Sequence, residues 1–214
     1  SERPRRSERS ARNERRILDT RAQIIERHSK TKGDIPSTVA LIPVRGKTLD
    51  PASLALDDLG GRPLIDWTIE AALAARHIRS VIVTTPDPAV LDHVAATFGD
   101  AVYPVLRETR LAMFNTKLDD TLLSALSRFS ADRFEPEVAA VLQVESPFRT
   151  AQHINTAIEV MVLFDTDCVV GVRPENSRFF RHNGNGLEPM RQTAELRRER
   201  EELFREAGGL HLVR

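Results

Sequence analysis

Arg45 and Lys47 stand directly after an apolar run, residues 38–44, in the segment Val-Ala-Leu-Ile-Pro-Val-Arg-Gly-Lys-Thr. Arginine binds phosphate oxygens as a planar fork, and lysine binds them as a point charge. The segment is not a Walker P-loop, because Leu41 stands where that motif requires a glycine. We predict a phosphate-binding loop that includes Gly46 between the two cations. The alternative is that both side chains are solvated loop cations.

A second apolar run, residues 137–143, ends in the segment Leu-Gln-Val-Glu-Ser-Pro-Phe-Arg. Gln143 can donate and accept hydrogen bonds, and Glu145 is a suitable oxygen ligand for Mg²⁺. Arg149 can neutralise a phosphate or a carboxylate. Ser146 followed by proline is also typical of a helix start, which would leave the arginine exposed. The residue types therefore indicate either a second half of one ligand site or an ordinary helix start.

Apolar runs alternate with segments of helical periodicity from residue 38 onwards. The predicted strands are residues 38–44, 79–84, 101–105, 137–143, 167–173 and 208–213. The predicted helices are residues 63–76, 87–97, 117–129, 150–163 and 194–206. This alternation predicts an α/β fold of three layers, with a mostly parallel sheet between helices. Ligands of such sheets bind at the carboxyl ends of the strands, where both polar segments fall.

Charge divides the 214-residue chain into two parts. Residues 1–33 carry 11 Lys/Arg against 5 Asp/Glu, whereas the remainder carries 20 against 26. We predict a basic, partly disordered and partly helical arm over residues 1–37, able to bind an acidic partner, and one domain over residues 38–214. The single Cys168 fits a reducing compartment and is expected to fill the core. Without an apolar run long enough to span a membrane, the expected location is the cytoplasm.

Several short motifs follow one another in a characteristic order. They are Ile42-Pro43-Val44-Arg45-Gly46, Gly61-Arg62-Pro63-Leu64-Ile65, Val81-Ile82-Val83-Thr84-Thr85, Arg107 to Leu111, Leu142 to Thr150, Asp167 to Val172, and Arg197 to Leu212. This ordered set resembles the acylneuraminate cytidylyltransferases, and more broadly the cytidylyltransferases that activate acidic sugars. The resemblance covers residues 38–214 and implies the nucleotide-diphospho-sugar transferase fold.

The resemblance implies an enzyme that transfers CMP from CTP to an acidic, sialic-acid-like sugar and releases pyrophosphate. Arg45 and Lys47 would then be catalytic by holding phosphates, with Gly46 in the same nucleotide-binding loop. Thr84 would face the cytosine. Glu145 would ligate Mg²⁺ or Mn²⁺, which supports phosphoryl chemistry by neutralising charge.

On the acceptor side, the resemblance implies roles for residues of two segments. Gln143, Ser146 and Arg149 would contact the sugar or shape its site. Arg197 and Arg198 would meet the sugar carboxylate, in a homodimer that brings two subunits together.

The sequence also departs from the family pattern at several positions. Leu49 replaces the family's loop lysine, Leu54 and Ala55 replace its Lys-Asn pair, and Pro86 and Ala207 replace an Asp and an Asn. The family's later Asp-x-Asp metal motif is expected beyond the last residue of this chain. A second interpretation is therefore a degenerate cytidylyltransferase-like domain that acts as a binding or scaffold module, with the basic arm as its working part.

Overall fold

The computed structural model describes residues 35–113, 115–175, 177, 179–189 and 203–214. The strands in these ranges are β1 (Thr38–Pro43), β2 (Ile78–Thr85), β3 (Val102–Leu106), β4 (Val138–Val141), β5 (Cys168–Glu175), β6 (Phe180–His182), β7 (Leu187–Pro189) and β8 (Leu203–Val213). The helices are α1 (Leu64–Leu73), α2 (Pro88–Phe98), α3 (Leu118–Asp132) and α4 (Ala151–Phe164). Two short 3₁₀ turns lie at Gly99–Ala101 and Thr109–Ala112.

Six strands form one sheet in the order β3-β2-β1-β4-β8-β5. The first four are parallel to one another, and β8 runs antiparallel to both of its neighbours, β4 and β5. Strands β6 and β7 form a separate antiparallel pair. The predicted mostly parallel sheet is confirmed, with β8 as its antiparallel member.

Strand β1 lies at the centre of two apolar clusters. Because successive side chains of a strand point to opposite faces, Ala40 and Ile42 pack in the larger cluster with residues of α1, α2 and α4. Val39 and Leu41 pack in the smaller cluster with residues of α3. The described helices therefore cover both faces of the sheet, as the α/β/α prediction requires.

Two helices that follow site loops begin with side-chain caps. Asp87 accepts a hydrogen bond from the amide of Ala89 at 3.1 Å, and Pro88 is the first residue of α2. Thr150 accepts one from the amide of His153 at 3.4 Å at the start of α4. Such caps satisfy amides that lack a partner within the helix, so the loops enter these helices at defined angles.

The edge formed by β5 and β8 differs from the sequence prediction in two respects. Cys168 is exposed rather than a core filler, because β5 has a strand neighbour on one side only. The predicted helix 194–206 is wrong over residues 203–206, which belong to β8. The rest of that segment and the arm residues 1–34 lie outside the described residues. Within the described part, no helix is both long and apolar enough to cross a membrane.

Candidate active site

The loops after β1, β3 and β4 meet at the carboxyl edge of the parallel strands and enclose a cleft of about 370 Å³. Its lining includes two arginines, Arg45 and Arg107, and two carboxylates, Asp50 and Glu145, together with Gln143. Arg45, Gln143 and Glu145 were all predicted as site residues. The structure therefore brings part of each predicted polar segment into one cleft.

Arg107 is the most strongly perturbed cation of this cleft. Its side chain is buried, and Nη2 donates a hydrogen bond to the carbonyl of Val44 at 2.8 Å. Nε is buried and has no hydrogen-bond partner among the described residues. Burial, and secondly the charge of Arg45, lower the pKa of Arg107 to about 10. An anion in the cleft would relieve both effects, because it would offset the desolvation and the repulsion between like charges.

Asp87 shapes the loop that carries Arg45, although the sequence analysis did not select it. Its Oδ2 accepts a hydrogen bond from the amide of Thr48 at 3.2 Å, while Oδ1 caps α2. Gly46 has φ +74°, and a Cβ on it would overlap the side chain of Asp87. This glycine is therefore required both for its conformation and for its close approach. The Asp-Pro pair at a predicted helix start was the available signal.

Two predicted nucleotide-binding residues lie away from the cleft lining. Lys47 is half exposed and forms an ion pair with Asp57 on the neighbouring loop. Thr84 is completely buried and does not line the cleft. Lys47 turns away because a carboxylate lies within its reach.

The loop 142–149 is held by Gly209 in β8. The amide of Gly209 donates to Oε1 of Gln143 at 3.3 Å, and the amide of Gln143 donates to the carbonyl of Gly209 at 3.4 Å. Gly209 has φ +84°, and a Cβ there would overlap Ser146. Strand β8 therefore packs directly against the segment predicted to contact the acceptor.

The side chain of Arg149 connects the end of this loop to its beginning. Its Nη2 donates to the carbonyl of Gln143 at 2.6 Å, while Nε and Nη1 are buried and have no hydrogen-bond partner among the described residues. Burial lowers the pKa of Arg149 to about 10, opposed by the nearby carboxylate of Glu145. The alternative of an exposed Arg149 is wrong, since its side chain is buried.

A larger cavity of about 950 Å³ lies on the other side of the loop 142–149. Strands β5 and β8 supply one wall, and residues before and within α1 supply another. Glu145 lines both cavities, so they meet at this carboxylate. Two adjoining cavities with a shared acidic residue are suited to a reaction between two ligands.

Glu145 was predicted as a metal ligand, and metal binding at this carboxylate stays a prediction. No group of three His, Cys, Asp or Glu side chains is close enough to form a metal site within the described ranges. Mg²⁺, however, is usually held by one or two carboxylates together with substrate phosphates and waters. Glu145 and Asp50 line the same cleft and provide two such carboxylates.

Solved structures with the same architecture identify the class of fold. CMP:2-keto-3-deoxy-manno-octonic acid synthetase, solved with CTP, matches with a TM-score of 0.60 at 19% identity, over 83% of this chain and 74% of that one. The 4-diphosphocytidyl-2C-methyl-D-erythritol synthase of Anaerococcus prevotii matches with a TM-score of 0.58 at 12% identity, over 83% and 70%. The chain thus shares the fold of these two synthases.

Sequence comparison then identifies the family. Residues 53–183, more than half of the chain, match the Cytidylyltransferase family model, so the chain belongs to that family. It is 30% identical over 157 residues to the CMP-N,N'-diacetyllegionaminic acid synthase of Legionella pneumophila, covering 71% of this chain and 66% of that protein. It is 33% identical over 139 residues to an N-acylneuraminate cytidylyltransferase of Escherichia coli, covering 64% of this chain and 32% of that protein. The chain therefore spans at most about two thirds of the length of these relatives.

Proposed function

We propose that this protein transfers CMP from CTP to an acidic sugar of the sialic-acid type and releases pyrophosphate. The observation that carries the proposal is the pair of Arg45 and buried Arg107 in a cleft at the carboxyl edge of the sheet. Membership of the cytidylyltransferase family supports the chemistry. The names of its relatives, a CMP-N,N'-diacetyllegionaminic acid synthase and an N-acylneuraminate cytidylyltransferase, support the acceptor class.

In the proposed reaction, a hydroxyl oxygen of the sugar attacks the α-phosphorus of CTP. The new O–P bond forms as the bond to pyrophosphate breaks, and the hydroxyl proton passes to solvent. Such a transfer depends mainly on positioning and on neutralising phosphate charge. Arg45 and Arg107 provide that charge in the smaller cleft, and the acceptor approaches from the larger cavity past Glu145.

The structure changes which residues we assign to the nucleotide. Arg107 takes the phosphate-binding role first expected of Lys47, whose ammonium group is paired with Asp57. Gly46 sets the loop, and Asp87 holds it in place. We do not assign Thr84 a direct contact with cytosine, because its side chain is completely buried.

On the acceptor side, we propose the roles predicted from the sequence, with Asp50 as a second carboxylate beside Glu145. Gln143, Ser146 and Arg149 form the wall between the cavities. Arg197 and Arg198 stay predicted partners of the sugar carboxylate, and they lie outside the described residues. Glu145 together with the Asp50 carboxylate would hold Mg²⁺ or Mn²⁺, which supplies neutralisation of phosphate charge when it is bound.

The proposal extends to assembly and location. The exposed apolar side chains of the β6–β7 hairpin, among them Phe180 and Leu187, support a homodimer. A basic arm over residues 1–37 is proposed to bind an acidic partner. A cytoplasmic location is part of the same proposal, and the single unpaired Cys168 supports it because disulfides are rare in reducing compartments.

The test is release of pyrophosphate from CTP in the presence of Mg²⁺ and a panel of acidic sugars. Arg45→Ala and Arg107→Met are expected to lower kcat/KM by about 10²-fold or more, because each removes a charge-assisted contact to the reacting phosphates. Arg76→Ala is the matched control, because Arg76 lies just before the amino end of β2, at the edge of the sheet opposite the cleft. Its side chain is exposed and forms an ion pair with Glu159. Equal losses in the three variants would contradict the proposed cleft.

A second function, a binding module without catalysis, is favoured by one group of observations. Leu54 and Ala55 stand where the resemblance expects Lys and Asn, and Lys47 lies outside the cleft lining. Calorimetric titration with CTP, with and without Mg²⁺, separates the two functions. Selective CTP binding strengthened by metal supports the transferase, whereas no binding at millimolar CTP supports the module.

A further inference from the structure

Strand β8 is interrupted where it approaches the candidate site. Glu206 and His211 both pair with β5, on either side of Gly171. Opposite this one residue of β5, strand β8 has residues 207–210, which therefore cannot all pair and form a bulge. We call this segment the β8 bulge. A bulge of this kind directs part of a strand out of the regular sheet.

The β8 bulge forms part of the wall of the larger cavity. Three of its residues line that cavity: Ala207, Gly208 and Leu210. The remaining residue, Gly209, exchanges hydrogen bonds with Gln143 and approaches Ser146 too closely for a Cβ. A shift of the bulge would therefore move the wall and would also disturb the loop 142–149. The cavity keeps its shape only while the bulge stays in place.

The β8 bulge has little internal stiffness. Gly208 has φ +69° and Gly209 has φ +84°, so both lie in the left-handed region. Consecutive glycines have many accessible backbone conformations, and ordering them costs more entropy than ordering other residues. The contacts that hold the bulge must therefore come from residues outside it. At its tip, the hydrogen bonds between Gly209 and Gln143 provide such contacts.

A pair of side chains spans the base of the β8 bulge. Nε2 of His211 and Oε1 of Glu206 lie 2.5 Å apart, which is a hydrogen-bonding distance. These residues directly flank the bulge, so their contact keeps its two ends together and reduces the number of conformations that it can adopt. Leu212 is buried in the larger apolar cluster, and the side chain of its neighbour His211 therefore points to the opposite face of β8. The pair is thus separate from the apolar core.

We infer that Glu206 and His211 are positioning residues for the acceptor. Neither lines the larger cavity, so they act through the β8 bulge, which their contact holds against the loop 142–149. The assignment to the acceptor rests on the proposed function, whereas the restraint of the bulge is a property of the protein without ligands. The side chains of His211 and Glu206 are 34% and 57% exposed. The effect of the pair is therefore expected to be about threefold, within the range of exposed ion pairs.

The first experiment measures amide hydrogen exchange of the full chain without ligands. Glu206→Met and His211→Phe approximately keep the size of each side chain and remove the contact. Both are expected to increase the exchange rates at Gly209 and Gln143 about threefold, because the bulge opens more often. The amide of Leu142, which donates to β1, is expected to exchange at an unchanged rate. Unchanged rates at Gly209 and Gln143 in both variants would overturn the inference.

Two further variants test whether the contact itself is responsible. A chain that carries both Glu206→His and His211→Glu rebuilds the pair with its partners swapped, and we expect it to restore the original rates. Arg205→Met is the matched control, since Arg205 lies next to Glu206 and pairs with Glu175 of β5 at 3.2 Å without spanning the bulge. Failure of the swapped pair to restore the rates, or an equal increase in the control, would overturn the inference.

Pyrophosphate release then tests the role in acceptor binding, with N-acetylneuraminic acid and N,N'-diacetyllegionaminic acid as the varied substrates. Glu206→Met and His211→Phe are expected to raise KM for the acid about threefold. We expect kcat and KM for CTP to stay unchanged, because the bulge lines the larger cavity and not the cleft. An equal rise of KM for CTP would overturn the positioning role. Faster amide exchange in the variants, without turnover of either acid by the original chain, would overturn the proposed function and leave the restraint of the bulge standing.

Discussion

The parallel half of the sheet and its antiparallel edge are built on different principles. In β1, Leu41 and Ile42 are completely buried, because the strand has neighbours on both sides and helices on both faces. At the edge, Val172 of β5 is 50% exposed and Phe204 of β8 is 55% exposed. Apolar burial therefore stabilises the parallel half, whereas the edge keeps apolar side chains available for contacts with other molecules.

The edge is nevertheless tied to the loop of the candidate active site, in addition to the pairing of β8 with β4. Gly209 in β8 approaches Ser146 and Arg149 so closely that no side chain fits between them. Its backbone also exchanges hydrogen bonds with Gln143. The exposed region is thus in direct contact with the loop of the candidate active site. Strand β8, which carries the edge strand β5, is therefore anchored where it lines the site.

A pair of leucine substitutions measures the difference between the two regions. Leu41→Ala is expected to lower the free energy of unfolding by about 2–5 kcal/mol, because it leaves a cavity in a packed core. Leu187→Ala, at a position 71% exposed in the β6–β7 hairpin, is expected to change it by less than about 0.5 kcal/mol at dilutions at which the protein is a monomer. Chemical denaturation of both variants checks this. Similar losses would mean that the hairpin is buried in an assembly.

A pair of glycine substitutions tests the anchor of the edge. Gly209→Ala is expected to cost about 1–3 kcal/mol of stability, because the residue has φ +84° and its Cβ would displace Ser146. Gly184→Ala is the control, since Gly184 has φ +97° but open space around its Cβ position. It carries the conformational cost alone, about 1 kcal/mol.

Acceptor binding separates the two glycine variants more clearly than stability does. Gly209→Ala is expected to weaken binding of the acidic sugar, because Ser146 and Arg149 must move, while Gly184→Ala leaves it unchanged. Calorimetric titration measures both. Unchanged acceptor affinity in Gly209→Ala would show that the contact between β8 and the loop 142–149 does not shape the acceptor site.

The parallel half could be predicted well because its strands are continuous apolar runs. Runs 38–44, 79–84 and 137–143 lie within about two residues of β1, β2 and β4. The strands of the edge were harder to predict, because many of their residues are exposed and they do not form continuous apolar runs. Alternating Arg and Glu suggested a helix up to residue 206, whereas residues 203–206 pair with β5, a long-range interaction that local periodicity does not encode.

The site was predictable to the level of its loops but less so in its side chains. Arg45 and Glu145 line the cleft because parallel strands place their carboxyl ends together. Lys47 does not, because Asp57, ten positions along the chain, binds it instead. In the sequence, Arg107 is only the first residue of a family motif, and its role as a buried cation depends on the end of β3 lying near the loop after β1. Which partner each of these cations contacts depends on the tertiary structure, which local sequence patterns do not reveal.

The smallest expected effect concerns a contact at the amino end of the parallel half. The carboxylate of Glu137 accepts hydrogen bonds from the amide and the hydroxyl of Ser37, at 2.7 and 3.0 Å. These bonds connect the entries of β4 and β1. At the edge, the comparable ion pair joins Arg214 and Asp165 at 3.0 Å. Both carboxylates lie on the surface, so neither contact is expected to dominate stability.

The backbone hydrogen bond from Ser37, and then its hydroxyl, hold the pKa of Glu137 below its ordinary value of 4.5. A carboxyl group whose pKa is lower in the folded state stabilises that state above the unfolded pKa, and this contribution is lost as the pH falls through the folded pKa. Glu137→Gln is therefore expected to flatten the loss of stability below about pH 4.5. Thermal unfolding between neutral pH and pH 3 measures the slope, with Asp165→Asn as the control at the edge. An equal change of slope in both variants would show that removal of any surface carboxylate suffices, and that the Ser37 contact contributes nothing specific to the parallel half.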